Sequence, residues 1–170
     1  MRKKSIRRRT TIEEREWKAT LGLMAQSLSA TPLVAAGEDV ANDVTLGRKR
    51  AWRILIADDH EAVRRGLRSA IIGMGWQVCG EARDGKEAIE QARALNPDLV
   101  VLDVSMPVMS GLEAAPQILQ SAPQTKVVAF TMHDSQQMKD EMAKIGVHGF
   151  AIKSAPLAQL LETIRSVLAK

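Results

Sequence analysis

Cysteine, tyrosine and aromatic residues in general are scarce in this sequence: one Cys, no Tyr, three Trp and two Phe in 170 residues. The lone Cys79 excludes an internal disulfide framework, and no CxxC pair or His/Cys cluster has the spacing of a zinc site. Long apolar runs are also missing. None approaches the ~18 residues that cross a bilayer, so neither a membrane span nor a membrane partner is expected. Met1 to Arg9 imitates the basic start of a secretion signal, but Glu13, Glu14, Arg15 and Glu16 stand where its apolar stretch should begin. These absences together make a reduced, cytoplasmic setting the expectation.

What is present suits a folded protein. Hydrophobic residues make up 45% and charged residues 26%, close to ordinary globular usage. The length leaves room for one domain and an appendage. The net charge of +4 is unevenly spread: residues 1–52 carry 11 basic and 6 acidic side chains, whereas residues 53–170 carry 13 and 14. All of the excess positive charge is N-terminal.

From Arg53 onward, short β-branched runs alternate with stretches of helical period. Strands are expected at Arg53–Ala57, Gln77–Glu81, Leu99–Leu102, Lys126–Phe130 and Gly149–Ile152. Helices are expected near Glu61–Ile72, Lys86–Leu95, Leu112–Gln120, Gln136–Ile145 and Leu157–Ala169. The strand runs are too uniformly apolar to have a wet face, which implies a parallel sheet covered by helices on both faces, an α/β doubly wound architecture. Residues 1–51 differ in kind. Six of the first nine are Arg or Lys, and Trp17, Leu21, Met24 and Leu28 mark one amphipathic helix. A Gly, Pro, Ala and Asp mixture to Gly47 then reads as linker. A basic, flexible extension is expected there.

Ligands of open parallel sheets bind outside the carboxyl ends of the strands. The first strand ends in Asp58-Asp59, the third in Asp103, the fourth in Thr131 and the fifth in Lys153. Three carboxylates on one rim repel one another unless a cation neutralises them. Mg²⁺ suits hard carboxylate oxygens supplemented by water and phosphate oxygens. With such a cation and Lys153 nearby, the Asp103 carboxylate can attack phosphorus and form an acyl phosphate. Thr131 can donate a hydrogen bond to a phosphoryl oxygen, and Lys153 can pair with another.

These residues resemble a known family. Ile54-Leu55-Ile56-Ala57-Asp58-Asp59-His60, Leu102-Asp103-Val104-Ser105-Met106-Pro107, Thr131-Met132-His133-Asp134 and Gly149-Phe150-Ala151-Ile152-Lys153 are similar to the receiver domain of bacterial two-component response regulators. The flavour is that of receivers usually joined to a LuxR-like helix-turn-helix output domain. The joint spacing carries the signal: Asp103 follows Asp59 by 44 residues, Thr131 follows by 28 more and Lys153 by 22 more. The resemblance covers residues 52–170 and implies a flavodoxin-like five-stranded sheet of order 2-1-3-4-5. It implies that Asp103 is the phospho-acceptor and that Asp58, Asp59, Asp103 and the Ser105 backbone carbonyl hold Mg²⁺. Thr131 and Lys153 would grip the phosphoryl group, while Thr131 and Phe150 would form a switch. Implied partners are a sensor histidine kinase or phosphotransfer protein, a downstream effector, and a second copy on phosphorylation.

The sequence departs from the family in particular places. Lys153 is followed by Ser154-Ala155-Pro156 where most receivers have Pro directly after Lys. Pro116 falls inside the third helix, where it should cost a hydrogen bond. Ser105 and His133, beside the phosphorylation site, would set how fast water reaches the acyl phosphate. The sequence ends at Lys170, just after the fifth helix, and no output domain is expected. The expectation is therefore a single-domain phospho-acceptor that signals by protein contact; it would not be an enzyme beyond slow self-phosphorylation and autodephosphorylation, and DNA binding is not expected. Two alternatives stand beside it. A nucleic-acid-associated regulator would use the basic tail, and a haloacid-dehalogenase-type phosphatase would need a DxDx[TV] first strand where Asp58-Asp59-His60 stands. Blander readings make Asp58 or Asp59 a helix cap, Cys79 a buried small hydrophobe, and His60 and His133 solvated loop residues.

Overall fold

The apolar runs become five strands: β1 Arg53–Ala57, β2 Gln77–Ala82, β3 Leu99–Asp103, β4 Lys126–Thr131 and β5 Gly149–Ile152. Five helices separate or follow them: α1 Glu61–Gly73, α2 Gly85–Leu95, α3 Gly111–Ser121, α4 Gln136–Ile145 and α5 Leu157–Leu168. The structure is a computed structural model that describes residues 50–132 and 134–170. Of its two units, Met1–Val40 and Ala41–Lys170, the described residues belong to the second. The helix expected at Trp17–Leu28, the linker after it and His133 lie outside the described residues.

The strands pair in parallel in the order β2-β1-β3-β4-β5, as expected. Register shifts once, between Ile54 and Leu55, leaving Cys79 without a partner in β1. A bulge of this kind re-aims the strand beyond it. Three strands run one residue further than the sequence pattern suggests, so Asp103 and Thr131 are last strand residues and not loop residues.

Alternation along the strands divides the core. Leu55, Val100, Leu102 and Val127 pack with Ala88 and Ala92 of α2 and with Ala114, Ala115 and Ile118 of α3. The intervening Ile54, Ile56, Leu99, Val101 and Val128 face the opposite side, where α1 and α5 lie against the sheet. Each of these large side chains is fully buried and contributes about 1.5–3 kcal/mol relative to exposure. Cys79 is half-buried at the edge of this core, and burial, acting against nearby Arg53, pushes its thiol pKa up. Such a thiol is poorly nucleophilic.

Local chemistry sets the helix ends. Asp84 caps α2 by accepting from Glu87 N–H at 2.9 Å. Ser110 and Glu113 form a capping box on α3. Ser135 accepts from Met138 N–H on α4, which ends at Gly146 in the left-handed region. Pro116 sits within α3 on its exposed side, where its missing N–H removes one bond of the helix ladder. Pro156 is the N-cap of α5, and every described peptide bond is trans.

Candidate functional site

The carboxyl rim brings Asp58, Asp59, Asp103, Thr131 and Lys153 together at the switch point where β1 lies between β2 and β3. Asp58, Asp103, Thr131 and Lys153 are all buried, at 1%, 2%, 0% and 7% exposure. Charged groups are almost never that buried without a reason. The Lys153 ammonium donates to Asp103 Oδ2 at 2.7 Å and lies 2.6 Å from Asp58 Oδ2, where it makes an ion pair without an aligned hydrogen bond. Its Nζ lies over the Phe130 ring, 5.6 Å from the centroid. The backbone N–H of Lys153 donates to the Thr131 carbonyl at 2.7 Å, tying β5's end to β4's.

One ammonium does not neutralise this pocket. Burial pushes the Asp103 carboxyl above its ordinary pKa, and the charge of Asp58 adds to that, against the pull of Lys153 and of the Ser105 N–H at 3.0 Å from Oδ1. Burial pulls Lys153 down, but Asp58 and Asp103 outweigh it and hold the ammonium firmly charged. A carboxylate pushed toward its neutral form beside a charged lysine marks a site short of positive charge. Asp59 Oδ1 is buried as well and accepts no hydrogen bond. Donor atoms of Asp58, Asp59, His60 and Asp103 all lie within 4.8 Å of one another. A hard, hydrated cation such as Mg²⁺ fits this donor set.

Neither acid of the pair is a helix cap. The N-cap of α1 is His60, with no side-chain cap bond, and Asp58 Oδ1 instead accepts from the His60 N–H at 2.9 Å. Phe150 is half-buried beside α4, against Val104, Ala129 and Met142, with Lys139 Nζ 5.4 Å from its ring centroid.

The sequence reading missed two contributors. Arg64 is 8% exposed; its Nη1 donates to the Asp58 carbonyl at 2.8 Å, and its Nε donates to Glu81 at 3.2 Å. The available signal was position: Arg64 falls at i, i+3, i+7 with the buried Leu67 and Ile71. Gly111 is the second. A Cβ there would stand 2.0 Å from the Asp103 carbonyl oxygen, so only glycine lets α3 begin against the Asp103 backbone. Between them, Val108 holds a positive φ of 67°, and Met109 N–H donates to the Pro107 carbonyl at 2.7 Å in a strained γ-turn.

A parallel 2-1-3-4-5 sheet with a buried lysine bridging two rim aspartates is the arrangement of receiver-type signalling domains. The response regulator receiver domain model matches residues 54–165. Response regulator GacA of Pseudomonas viridiflava is 40% identical over 118 residues, covering 69% of this chain and 55% of that protein. Chemotaxis protein CheY of Thermotoga maritima is 34% identical over 115 residues, 68% of this chain and 96% of that protein. Among solved structures, a LuxR-family two-component response regulator from Aurantimonas sp. SI85-9A1 superimposes with a TM-score of 0.68 at 35% identity, covering 71% of this chain and 86% of that one. The chain belongs to the response regulator receiver family. It spans about half the length of the GacA proteins it matches. Among the described residues, no helix is long and apolar enough to cross a membrane.

Proposed function

We propose that Asp103 accepts a phosphoryl group from a phosphohistidine of a sensor kinase or phosphotransfer protein, and that this chain is a receiver in a two-component phosphorelay. The observation that carries this reading is the buried Lys153 ammonium shared between Asp58 and Asp103. An oxygen of Asp103 attacks phosphorus, the phosphorus–nitrogen bond of the donor breaks, and the imidazole leaves with its electron pair. Asp58, Asp59, Asp103 and the Ser105 carbonyl would hold Mg²⁺, which supplies charge stabilisation to the phosphoryl oxygens. Lys153 pairs with one phosphoryl oxygen, and Thr131 donates its hydroxyl to another. Drawing Thr131 toward the phosphoryl group makes room for the Phe150 ring, so a covalent charge change alters the surface around β4, α4 and β5.

The receiver occupies residues 52–170 and residues 1–51 form a basic extension. The protein acts in the cytoplasm, signals through a downstream effector protein or a second copy of itself, and turns over no substrate beyond slow self-phosphorylation and autodephosphorylation. Water attacks phosphorus, the bond to Asp103 breaks and inorganic phosphate leaves, at a rate set by Ser105 and His133, each two residues along the chain from Asp103 and Thr131.

The test is incorporation of labelled phosphate, or of beryllofluoride, into the full chain with and without Mg²⁺. Incorporation that requires Mg²⁺ and is lost in Asp103→Asn supports the assignment. Label that persists in Asp103→Asn places the acceptor elsewhere.

A further inference from the structure

His60 reads in the sequence as a solvated loop residue, and the fold gives it another position. It stands at the N-cap of α1, yet its imidazole makes no cap hydrogen bond, so the helix does not use it. Its Nδ1 lies 2.8 Å from Asp59 Oδ1 and 3.6 Å from Asp58 Oδ1. Its backbone N–H donates to that same Asp58 Oδ1 at 2.9 Å, which locks the residue's main chain to the pocket. Asp58 is itself 1% exposed, and its Oδ2 and the neighbouring Asp59 Oδ1 accept no aligned hydrogen bond. Four side chains, three offering oxygen and one nitrogen, thus converge within 4.8 Å.

We infer that the pocket is a mixed oxygen and nitrogen cation site in which His60 Nδ1 is a ligand, so that it takes a transition-series ion such as Ni²⁺ in addition to Mg²⁺. The inference rests on the cation-binding reading of Asp58, Asp59 and Asp103 above. Carboxylates alone suit hard ions, whereas an added imidazole raises affinity for Ni²⁺, Cu²⁺ and Zn²⁺. Mg²⁺ gains little from nitrogen and keeps its waters. The imidazole is half-exposed, 54% accessible, so it meets the pocket from its solvent side. His60 therefore sets which divalent ion the pocket prefers, while the aspartates set whether it holds one.

The experiment is calorimetric titration of the untagged full chain with Ni²⁺ and, separately, Mg²⁺, for the natural sequence and for His60→Ala, His60→Gln and Asp58→Asn. Ni²⁺ should bind more tightly than Mg²⁺. Both His60 variants should weaken Ni²⁺ at least roughly tenfold while Mg²⁺ stays within about twofold. Unchanged Ni²⁺ affinity in both variants would overturn the inference, because the nitrogen ligand would then lie elsewhere. An equal loss of Ni²⁺ and Mg²⁺ would also overturn it, showing that His60 only holds the acid pair in place. If Asp58→Asn leaves Mg²⁺ binding untouched, the underlying cation site fails, an outcome separate from failure of the His60 variants.

Discussion

The two ends of the sheet treat charge in opposite ways. At the amino end, Asp98 accepts from both terminal nitrogens of Arg50, at 2.6 and 2.8 Å, and from the Arg53 N–H at 2.8 Å. Thr125 donates to the Pro97 carbonyl at 2.8 Å, and Val127 N–H donates to His148 Nδ1 at 3.1 Å. At the carboxyl end, Asp58 and Asp103 share one ammonium. Burial acts upward on both Asp98 and Asp103. At Asp98 the Arg50 and Arg53 hydrogen bonds outweigh burial and hold the carboxyl below its ordinary value, whereas Asp103 ends above its own. Paired charge fastens the fold, and charge left short of a partner keeps a capacity to bind.

Four perturbations break or sharpen this contrast, the largest first. Gly111→Ala forces the start of α3 away from the Asp103 carbonyl, since the contact of 2.0 Å is with backbone and cannot be relieved by a rotamer. A destabilisation of about 2–3 kcal/mol in denaturant melts is expected, with loss of phosphoryl acceptance. Next, Asp98→Ala and Asp103→Asn should shift melting temperature in opposite directions at pH 7. The first loses about 1 kcal/mol, discounted because Arg50 is largely exposed. The second gains, because a buried carboxylate whose folded pKa exceeds 3.8 penalises the folded state as pH rises from that value. The stability from Asp98 has the reverse sign: it is present above pH 3.8 and lost as pH falls through the depressed folded value.

Thr125→Val comes third. It removes a buried hydroxyl and orphans the Pro97 carbonyl, costing about 1 kcal/mol by thermal unfolding and leaving phosphorylation intact. The smallest effect concerns His148, which burial, then Lys126 and Lys170, hold below its ordinary 6.5. The unfolded chain takes up the proton first, so stability should fall as pH drops through 6.5, and His148→Gln should flatten that slope.

Much of this was legible in the sequence because it depends on local pattern. The β-branched runs located all five strands, and residues ending them named the rim. Asp58, Asp59, Asp103, Thr131 and Lys153 converge as their spacing implied, which follows from parallel strands all presenting carboxyl ends on one side. What escaped depends on contacts between distant segments. Arg64 reads as one more surface arginine in a charged helix until β2 brings Glu81 beside it. Gly111 reads as a helix start, and its real constraint is the Asp103 carbonyl. The same applies to Asp58 and Asp59, which a local reading allows as helix caps and which the fold turns inward to the pocket.

The central claim is that function resides in the under-neutralised end of the sheet and that Asp103 is its acceptor. Intact-mass measurement of the full chain after exposure to a small phospho-donor and Mg²⁺ tests it directly, with Asp103→Asn and Asp98→Asn run in parallel. A single phosphoryl adduct should appear on the natural chain and on Asp98→Asn, disappear when Mg²⁺ is chelated, and be absent from Asp103→Asn. An adduct of equal yield on Asp103→Asn would contradict the account.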